Sequence, residues 1–193
     1  MKQIIVATNN LEKLREIRQI ITSYEIVSLK DIKCHIEVEE DKYTFAENAL
    51  KKAKEIARVT NKICIADDSG LCIDVLNGFP GVKTARFLGK EKTQEERNDY
   101  LLKKLKEVKK SKRTACVITC IALVEPNGKE KVFTGILQGR IAEDKRGKNG
   151  FGFDEIFELE NGQTLAEISL EEKNRISSRS IALKQLEKYL AKN

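Results

Sequence analysis

Two adjacent carboxylates follow an apolar stretch in the first half of the chain. Asp67 and Asp68 come directly after residues 63–66, which have the composition of a buried strand, and Ser69-Gly70 continues as a turn. Carboxylates at the end of a buried strand are costly to desolvate unless a cation offsets them. A hard cation such as Mg²⁺, bound through oxygen, would do so. An ordinary turn that ends a strand is the alternative, and Glu39-Glu40-Asp41 is typical of a solvated acidic loop.

A polar junction near the start of the chain offers hydrogen-bond donors to phosphate. Thr8-Asn9-Asn10 ends a predicted strand over residues 2–7, and Leu11-Glu12-Lys13 opens a segment whose apolar residues recur at helical spacing. The start of a helix presents unpaired N–H groups and a partial positive charge, to which Lys13 adds a full charge. The Walker pattern GxxxxGK[ST] is absent from the sequence. An asparagine cap without a ligand is the alternative, and Lys13 is expected to be solvated.

A third stretch, Gly150-Phe151-Gly152-Phe153-Asp154, has the composition of a base-binding loop. Glycines let the backbone approach a ligand, aromatic rings can stack on a base, and the aspartate can accept hydrogen bonds from it. The alternative is a turn whose phenylalanines enter the core. Lys173 and Ser178-Arg179 form a fourth candidate, which alone would be an ordinary helix start.

The scarcity of histidine restricts the chemistry that this chain can perform. Because His35 is the only histidine in 193 residues, a site with two histidine ligands is excluded within one chain. The five cysteines are odd in number and contain no CxxC pair, so neither a disulfide framework nor a zinc ribbon is indicated. Catalysis would therefore rest on carboxylates, amides and cationic side chains. The net charge of +6 suits a partner that carries phosphate, although a solvated lysine-rich surface has the same charge.

Helices and strands alternate along the chain. Two capping boxes predict helices that begin after Thr44 and Thr93 and run to about residues 59 and 106. Further on, the sequence predicts a hairpin of strands 114–125 and 131–138, and a closing helix over 180–190. This pattern predicts an α/β fold with a mixed sheet flanked by helices, in a single domain over residues 1–193.

No part of the sequence suggests a membrane protein. The longest nearly apolar stretch, residues 116–124, is too short for a bilayer that needs about 20 residues. The apolar run at the N-terminus is too short for a signal peptide. We therefore expect a cytoplasmic protein with no membrane partner.

The candidate motifs resemble, in type and in order, those of the inosine triphosphate pyrophosphatase family, whose members act on non-standard purine nucleoside triphosphates. The resemblance runs from residue 8 to residue 179 and so covers nearly the whole chain. The matching stretches are Thr8-Asn9-Asn10-Leu11-Glu12-Lys13, Thr44-Phe45-Ala46-Glu47-Asn48-Ala49, Ile65-Ala66-Asp67-Asp68-Ser69-Gly70-Leu71, Gly78-Phe79-Pro80-Gly81-Val82, Phe151-Gly152-Phe153-Asp154, and Glu171-Glu172-Lys173 followed by Ile176-Ser177-Ser178-Arg179.

The resemblance implies an elongated fold of two merged lobes with a nucleotide cleft between them, and commonly a homodimer. It implies Mg²⁺-dependent hydrolysis of ITP, dITP and XTP to the monophosphate and pyrophosphate. It assigns Mg²⁺ to Glu40 and Asp68, and the proton of the attacking water to Asp68. It assigns contacts with the triphosphate to Thr8, Asn9, Asn10, Leu11, Glu12 and Lys13, contacts with the nucleotide to Lys52, Ser69, Lys173, Phe151, Gly152, Phe153 and Asp154, and contacts with the base to Ser178 and Arg179.

This chain departs from the pattern of that family at three positions. The family usually has Gly where Asn9 stands, Tyr where Lys83 stands and His where Ser178 stands. Because serine is shorter than histidine, we expect a preference for ITP over ATP that is less sharp than in relatives with His.

Two functions from other classes are alternatives to hydrolysis. A nucleotide-binding regulator without turnover is disfavoured by the intact set of Lys13, Glu40, Asp67 and Asp68. A basic nucleic-acid-binding protein would use residues 109–113, but the sequence contains no recognisable DNA- or RNA-binding module. We expect a small-molecule nucleoside triphosphate, and no nucleic acid, as the partner.

Overall fold

The computed structural model describes residues 2–192 and contains one six-stranded mixed sheet and five α-helices. The sheet has the order β2-β1-β3-β4-β5-β6, and the prediction of an α/β fold with a mixed sheet flanked by helices is confirmed. The strands are β1 (Gln3–Val6), β2 (Glu25–Ser28), β3 (Cys64–Ile73), β4 (Thr114–Val124), β5 (Glu130–Ile141) and β6 (Phe157–Glu158). The helices are α1 (Leu11–Ile20), α2 (Phe45–Thr60), α3 (Gln94–Lys104), α4 (Leu170–Ile176) and α5 (Ser178–Leu190).

The parallel part of the sheet is formed by the first three strands. β1 pairs in parallel with β2 and with β3, and Ile5 lies opposite Val27 on one side and Cys64 on the other. Parallel neighbours need a crossover, and α1 and α2 supply these connections. The side chains of β1 from Ile4 to Val6 are buried, as expected for a strand covered on both faces. β5 and β6, by contrast, pair antiparallel.

The chain divides into two compact units that are each discontinuous in sequence. The first unit comprises the chain up to Ser69, the segment Thr119–Gly135 and the chain from Ser177 onward. Its core joins apolar residues of β1, α1 and α5, including Ile4, Ile17 and Leu183. Each fully buried side chain of this kind contributes about 1.5–3 kcal/mol to folding.

The second unit comprises Gly70–Ile118 and Ile136–Ile176. Its core joins Leu101 of α3 and Leu105, the residue that follows α3, to residues that include Phe157 of β6. The stretch 103–113, which is rich in lysine, follows along the chain from the end of α3. Its last residue, Arg113, is buried and donates hydrogen bonds to the carbonyls of Val108 (2.9 Å) and Ala142 (3.0 Å), so this basic stretch has a fixed backbone.

The structure corrects four details of the predicted elements. Asp67-Asp68-Ser69-Gly70 lies inside β3, which continues to Ile73, and is not a turn. The strand can continue because the carboxylate of Asp67 is ion-paired within the first unit. The short elements β6 and α4 were not predicted, and α5 begins at Ser178, two residues before the predicted start. Within residues 2–192, no helix has the length and hydropathy to cross a membrane.

Candidate active site

The start of α1 offers backbone donors that the protein itself leaves unused. Asn10 caps the helix, and its Oδ1 accepts hydrogen bonds from the N–H groups of Glu12 (2.9 Å) and Lys13 (3.1 Å). The N–H groups of Asn9 and Leu11 make no hydrogen bond to any residue in the described range 2–192. Two donors at the positive end of a helix therefore remain for an anion.

Four charged side chains form a buried network in the first unit. The ammonium group of Lys13 lies 2.9 Å from Oδ2 of Asp67, and Nη2 of Arg179 lies 3.0 Å from the same oxygen. Arg179 also pairs with the carboxylate of Glu16, and it donates a hydrogen bond of 3.1 Å to Oγ of Ser69. The network joins the first turn of α1, β3 and the start of α5, and its two cations balance its two carboxylates.

The charges of this network decide the protonation state of Asp67. Burial alone would raise the pKa of Asp67, but the positive charges of Lys13 and Arg179 outweigh burial and hold that pKa well below its usual range. Burial lowers the pKa of Lys13, against the attraction of Asp67. The expectation that Lys13 is solvated is therefore wrong. Its side chain is only 18% exposed, because its ammonium group forms an ion pair with the buried carboxylate of Asp67.

Asp68 has the opposite electrostatic setting. Burial raises its pKa to about 6, and the nearby carboxylate of Glu40 adds to the rise, against the positive charge of Lys52. Its Oδ1 accepts a hydrogen bond of 3.0 Å from the N–H of Ser69, whereas its Oδ2 has no hydrogen-bond partner in residues 2–192. Because neighbouring residues of a strand point to opposite faces, Asp67 and Asp68 occupy different environments although they are adjacent.

Lys52 connects the acidic loop to β3. Its ammonium group pairs with the carboxylate of Glu40 and donates a hydrogen bond of 2.6 Å to the carbonyl of Asp67. Lys52 projects from α2, whose first turn is fixed by the predicted capping box of Thr44 and Glu47. The acidic loop is therefore tied to α2 and β3 at Glu40.

The residues that surround Asp68 fit a divalent cation. A buried carboxylate oxygen without a partner, with the carboxylate of Glu40 close enough to raise its pKa, is a site that a cation would stabilise. Mg²⁺ is commonly held by only one or two carboxylates together with water and phosphate oxygens. A larger cluster, of three or more His, Cys, Asp or Glu side chains able to hold a metal, does not occur within residues 2–192.

A pocket of about 320 Å³ lies in the first unit beside the start of α1. The predicted site residues that line it are Thr8, Asn9, Asn10, Lys13, Glu40 and Lys52. The side chains of Leu11 and Glu12 do not line it: Leu11 is 64% exposed, and Glu12 forms an ion pair with Arg15 on the helix surface. A phosphate in this pocket would meet these two residues only through their backbone.

Ser178, where the family resemblance predicted contact with a base, is buried at the first residue of α5. Its hydroxyl shares a hydrogen bond of 2.8 Å with the hydroxyl of Thr119 in β4. In the present structure Ser178 thus has a protein partner, and the neighbouring Arg179 is committed to the network around Asp67.

The remaining predicted residues belong to the second unit, where they form a tight turn. Oδ2 of Asp154 accepts hydrogen bonds from the N–H of Phe151 (2.8 Å) and from the ammonium group of Lys173 (2.6 Å). The same ammonium group lies 4.3 Å from the centroid of the Phe151 ring. Gly150 and Gly152 adopt positive φ angles, and a Cβ at Gly150 would collide with the Asp154 carboxylate. Phe153 enters the core, as the alternative reading of this stretch expected.

Known proteins resemble this chain in both sequence and fold. The sequence model of the Ham1 family matches residues 4–189. The chain belongs to the Ham1 family. It is 46% identical over 194 residues to a Ham1 relative from Listeria innocua named dITP/XTP pyrophosphatase, with 99% of this chain and 96% of the relative covered. A dITP/XTP pyrophosphatase of Bacillus subtilis is 42% identical, with 98% of both chains covered. The solved structure of a HAM1 protein from Coxiella burnetii matches with a TM-score of 0.91 and 37% identity, over the full length of both chains.

Two buried polar residues of this Ham1-family chain were not among the predicted site residues. Glu16 completes the charge network. It lies three residues after Lys13, on the same face of α1. Asn98 is buried on α3 beside the Phe151–Asp154 turn. Each is a polar side chain at an inward position of an amphipathic helix, and this is the sequence signal that could have identified it. Glu16 is next to the buried Ile17, and Asn98 is three residues before the buried Leu101.

Proposed function

We propose that this chain hydrolyses ITP, dITP and XTP to the nucleoside monophosphate and pyrophosphate. The relatives from Listeria innocua and Bacillus subtilis carry the name dITP/XTP pyrophosphatase and match nearly the whole chain. The structural observation that carries the proposal is the ion pair between Lys13 and Asp67, because it joins a helix start with unused donors to the strand that bears Asp68.

In this proposal the triphosphate binds at the start of α1. The N–H groups of Asn9 and Leu11, the hydroxyl of Thr8 and the ammonium group of Lys13 donate hydrogen bonds to its oxygens. Lys52 adds a second positive charge from α2. These donors are held in place before substrate arrives, by the Asn10 cap and by the Asp67 carboxylate, so little reorganisation opposes binding.

Asp68 is the proposed general base. Its partnerless Oδ2 accepts a proton from the attacking water, and the water oxygen bonds to phosphorus as that proton is transferred. The attack is at the α-phosphorus, whose bond to the oxygen that bridges it to the β-phosphorus breaks, and pyrophosphate leaves with that electron pair. When bound at Glu40 and Asp68, Mg²⁺ would supply positive charge to the phosphate oxygens.

The other predicted residues act on the nucleoside side in this proposal. Lys173 and the turn Phe151-Gly152-Phe153-Asp154 contact the nucleotide, and an aromatic ring of the turn stacks on the base. Ser69 contacts the nucleotide from β3, and Ser178 and Arg179 face the base. A serine at position 178 would give a preference for ITP over ATP that is weaker than with histidine.

Three further features of the proposal rest on the resemblance of the sequence to the inosine triphosphate pyrophosphatase family. They are the dependence on Mg²⁺, which the setting of Asp68 supports, the assembly of a homodimer, and a location in the cytoplasm.

Release of pyrophosphate from a panel of ITP, XTP, dITP, GTP and ATP tests the proposal. We expect turnover of the first three with Mg²⁺ present and its loss with excess chelator. Binding of ITP without release of pyrophosphate would instead identify a nucleotide-binding regulator. A nucleic-acid-binding protein would be inactive on the whole panel and would bind DNA or RNA with an affinity that falls steeply with salt.

A further inference from the structure

Helix α3 buries an asparagine on the face that packs into the second unit. Asn98 is 1% exposed and lies three residues before Leu101, which is fully buried. A buried amide is costly unless both its donor and its acceptor are used. The partners of Asn98 therefore indicate why this position is polar.

Those partners tie α3 to the Phe151–Asp154 turn. The side-chain NH₂ group of Asn98 donates a hydrogen bond of 3.2 Å to the carbonyl of Gly152. Its Oδ1 accepts a hydrogen bond of 2.9 Å from the side chain of Gln94, one helical turn earlier. Gln94 thereby fixes the orientation of the amide, so that the donor faces Gly152.

The turn has other anchors, but none of them within residues 2–192 forms a hydrogen bond with the carbonyl of Gly152. Asp154 holds the N–H of Phe151, and the backbone N–H groups of Lys148 and Asn149 donate to the carbonyl of Ala166. Gly152 has a φ of +69°, a left-handed conformation that lacks the restraint of a side chain. Because its carbonyl lies between Phe151 and Phe153, the orientation of this peptide group affects the position of both rings.

We propose that Asn98 is a positioning residue for the nucleotide, which acts by fixing the Gly152 peptide group and, through it, the Phe151 ring. This inference rests on the proposed function, since it assigns Asn98 to the turn that contacts the nucleotide. Asn98 itself does not touch the reacting atoms. Its loss should weaken the binding and selection of the nucleotide more than the chemical step.

The test compares Asn98→Asp with wild type. Aspartate has the same size and fills the same space, but its carboxylate cannot donate to the Gly152 carbonyl. We expect the KM for ITP to rise about tenfold and the ITP/ATP ratio of kcat/KM to fall severalfold, with kcat changed by no more than about twofold. Hydrogen–deuterium exchange of residues 150–154 should be faster in the variant, and this readout requires no enzymatic activity.

Two matched variants separate positioning from a general loss of stability. Leu105→Ala removes a fully buried side chain of the same core and keeps both side-chain hydrogen bonds of Asn98, so it should lower the melting temperature and leave the KM and the ITP/ATP ratio unchanged. Gln94→Ala keeps Asn98 in place but frees its amide to rotate. It should move the KM and the ratio in the same direction as Asn98→Asp by about two- to threefold, even if the aspartate variant does not fold.

If Asn98→Asp has the same KM, the same ITP/ATP ratio and the same exchange rate of residues 150–154 as wild type, the inference about Asn98 is overturned, and the proposed function is not affected. The same holds if Leu105→Ala shifts the KM and the ratio as much as Asn98→Asp does. A wild-type protein that releases no pyrophosphate from any triphosphate in the panel would overturn the proposed function, and with it the assignment of Asn98 to nucleotide binding.

Discussion

Asp67 and Asp68 show how two identical side chains acquire different roles within one strand. Asp67 faces two cations and is held ionised, so its charge is part of the folded structure. Asp68 is buried next to the carboxylate of Glu40 and its pKa is raised, so its charge is a cost to the folded protein without a bound cation. A buried carboxylate whose pKa is raised, close to Glu40 and Lys52 of the pocket beside α1, is the carboxylate that we propose for the chemistry.

Replacement of Asp68 by Asn should remove activity without loss of stability. The amide keeps the shape but cannot accept the proton of water, and a positioned base contributes about 10²–10⁴-fold to turnover. Because the buried charge is removed, the melting temperature should be equal to or above that of wild type. Asp67→Asn is the matched control: it leaves the cations of Lys13 and Arg179 undercompensated and should lower the melting temperature. Near wild-type turnover in Asp68→Asn would contradict its role as the base.

Replacement of Lys13 by Ala should affect both binding and stability. The lost ammonium group raises the KM for ITP, and the lost ion pair with buried Asp67 lowers the free energy of unfolding by about 1–3 kcal/mol, since Arg179 still pairs with that carboxylate. Steady-state kinetics and urea denaturation measure the two effects. Arg15→Ala, on the exposed surface of the same helix, should change neither. An unchanged KM in Lys13→Ala would mean that the lysine is purely structural.

At the residue level, the junction at residues 8–13 and the carboxylate pair could be singled out from the sequence, because both consist of residues adjacent in the chain; binding of phosphate there stays a prediction. The distinction between Asp67 and Asp68 could not be predicted, because it depends on Arg179, which is 112 residues away from Asp67 along the chain. For the same reason Lys13 was expected to be solvated. The contacts of Glu16 and Asn98 likewise form only when distant segments pack together.

Helix α3 begins with a capping box whose carboxylate makes charged contacts. Glu96 accepts hydrogen bonds from the ammonium group of Lys92 (2.8 Å) and from the N–H of Thr93 (2.8 Å), and these contacts lower its pKa from 4.5 to about 2. A carboxylate whose pKa is lowered in the folded state contributes its full stabilisation when the pH is above its pKa in the unfolded chain, about 4.5. That contribution is lost as the pH falls towards about 2.

Glu96→Gln should therefore lower stability in a pH-dependent manner. At pH 7 the amide lacks the charge that Lys92 and the helix start attract, so the urea midpoint should fall below that of wild type. The difference should shrink as the pH is lowered below about 4.5, where wild-type Glu96 begins to be protonated in the unfolded state. Glu107→Gln, at an exposed carboxylate that makes no hydrogen bond within residues 2–192, is the control and should show no such trend. A constant difference from pH 7 to pH 3 would contradict the assignment.

The elements were predicted best where local chemistry specifies their ends. The capping boxes of α2 and α3 placed both helix starts at the observed residues. The length of β3 was not predictable in this way, because two acidic residues and a glycine are typical of a turn and only ion pairing permits them inside a strand. The short β6 has just two residues, Phe157 and Glu158, too few to produce a period.

The net charge of the molecule is concentrated in one segment. Residues 103–113 contain seven basic side chains and one acidic side chain, so they account for the whole net charge of +6, and the rest of the chain is balanced. Lys110 pairs with Glu158 (3.0 Å), whereas five other lysines of this segment are exposed and have no ion-pair partner within residues 2–192. These five are Lys103, Lys104, Lys106, Lys109 and Lys112.

Replacement of these five lysines by Gln should change how the molecule adsorbs to charged surfaces. Adsorption follows the local field of a patch more than the total charge, so the variant should elute much earlier from a cation-exchange column at pH 7. A control with the exposed residues Lys2, Lys30, Lys33, Lys188 and Lys192 replaced has the same net charge of +1 but keeps the patch, and should elute later than the first variant. Pyrophosphate release should be equal in both. Identical elution of the two variants would show that total charge alone governs adsorption.

The interrupted course of the chain through its two units also constrains how the gene can change by recombination. The boundaries fall at residues 69/70, 118/119, 135/136 and 176/177, and the first three of these cut β3, β4 and β5. Four simultaneous breakpoints would therefore be needed to transplant one unit intact, and three of them would sever a strand. Exchange of a whole unit between related genes is therefore disfavoured, whereas point substitutions leave the strands shared by the two units continuous.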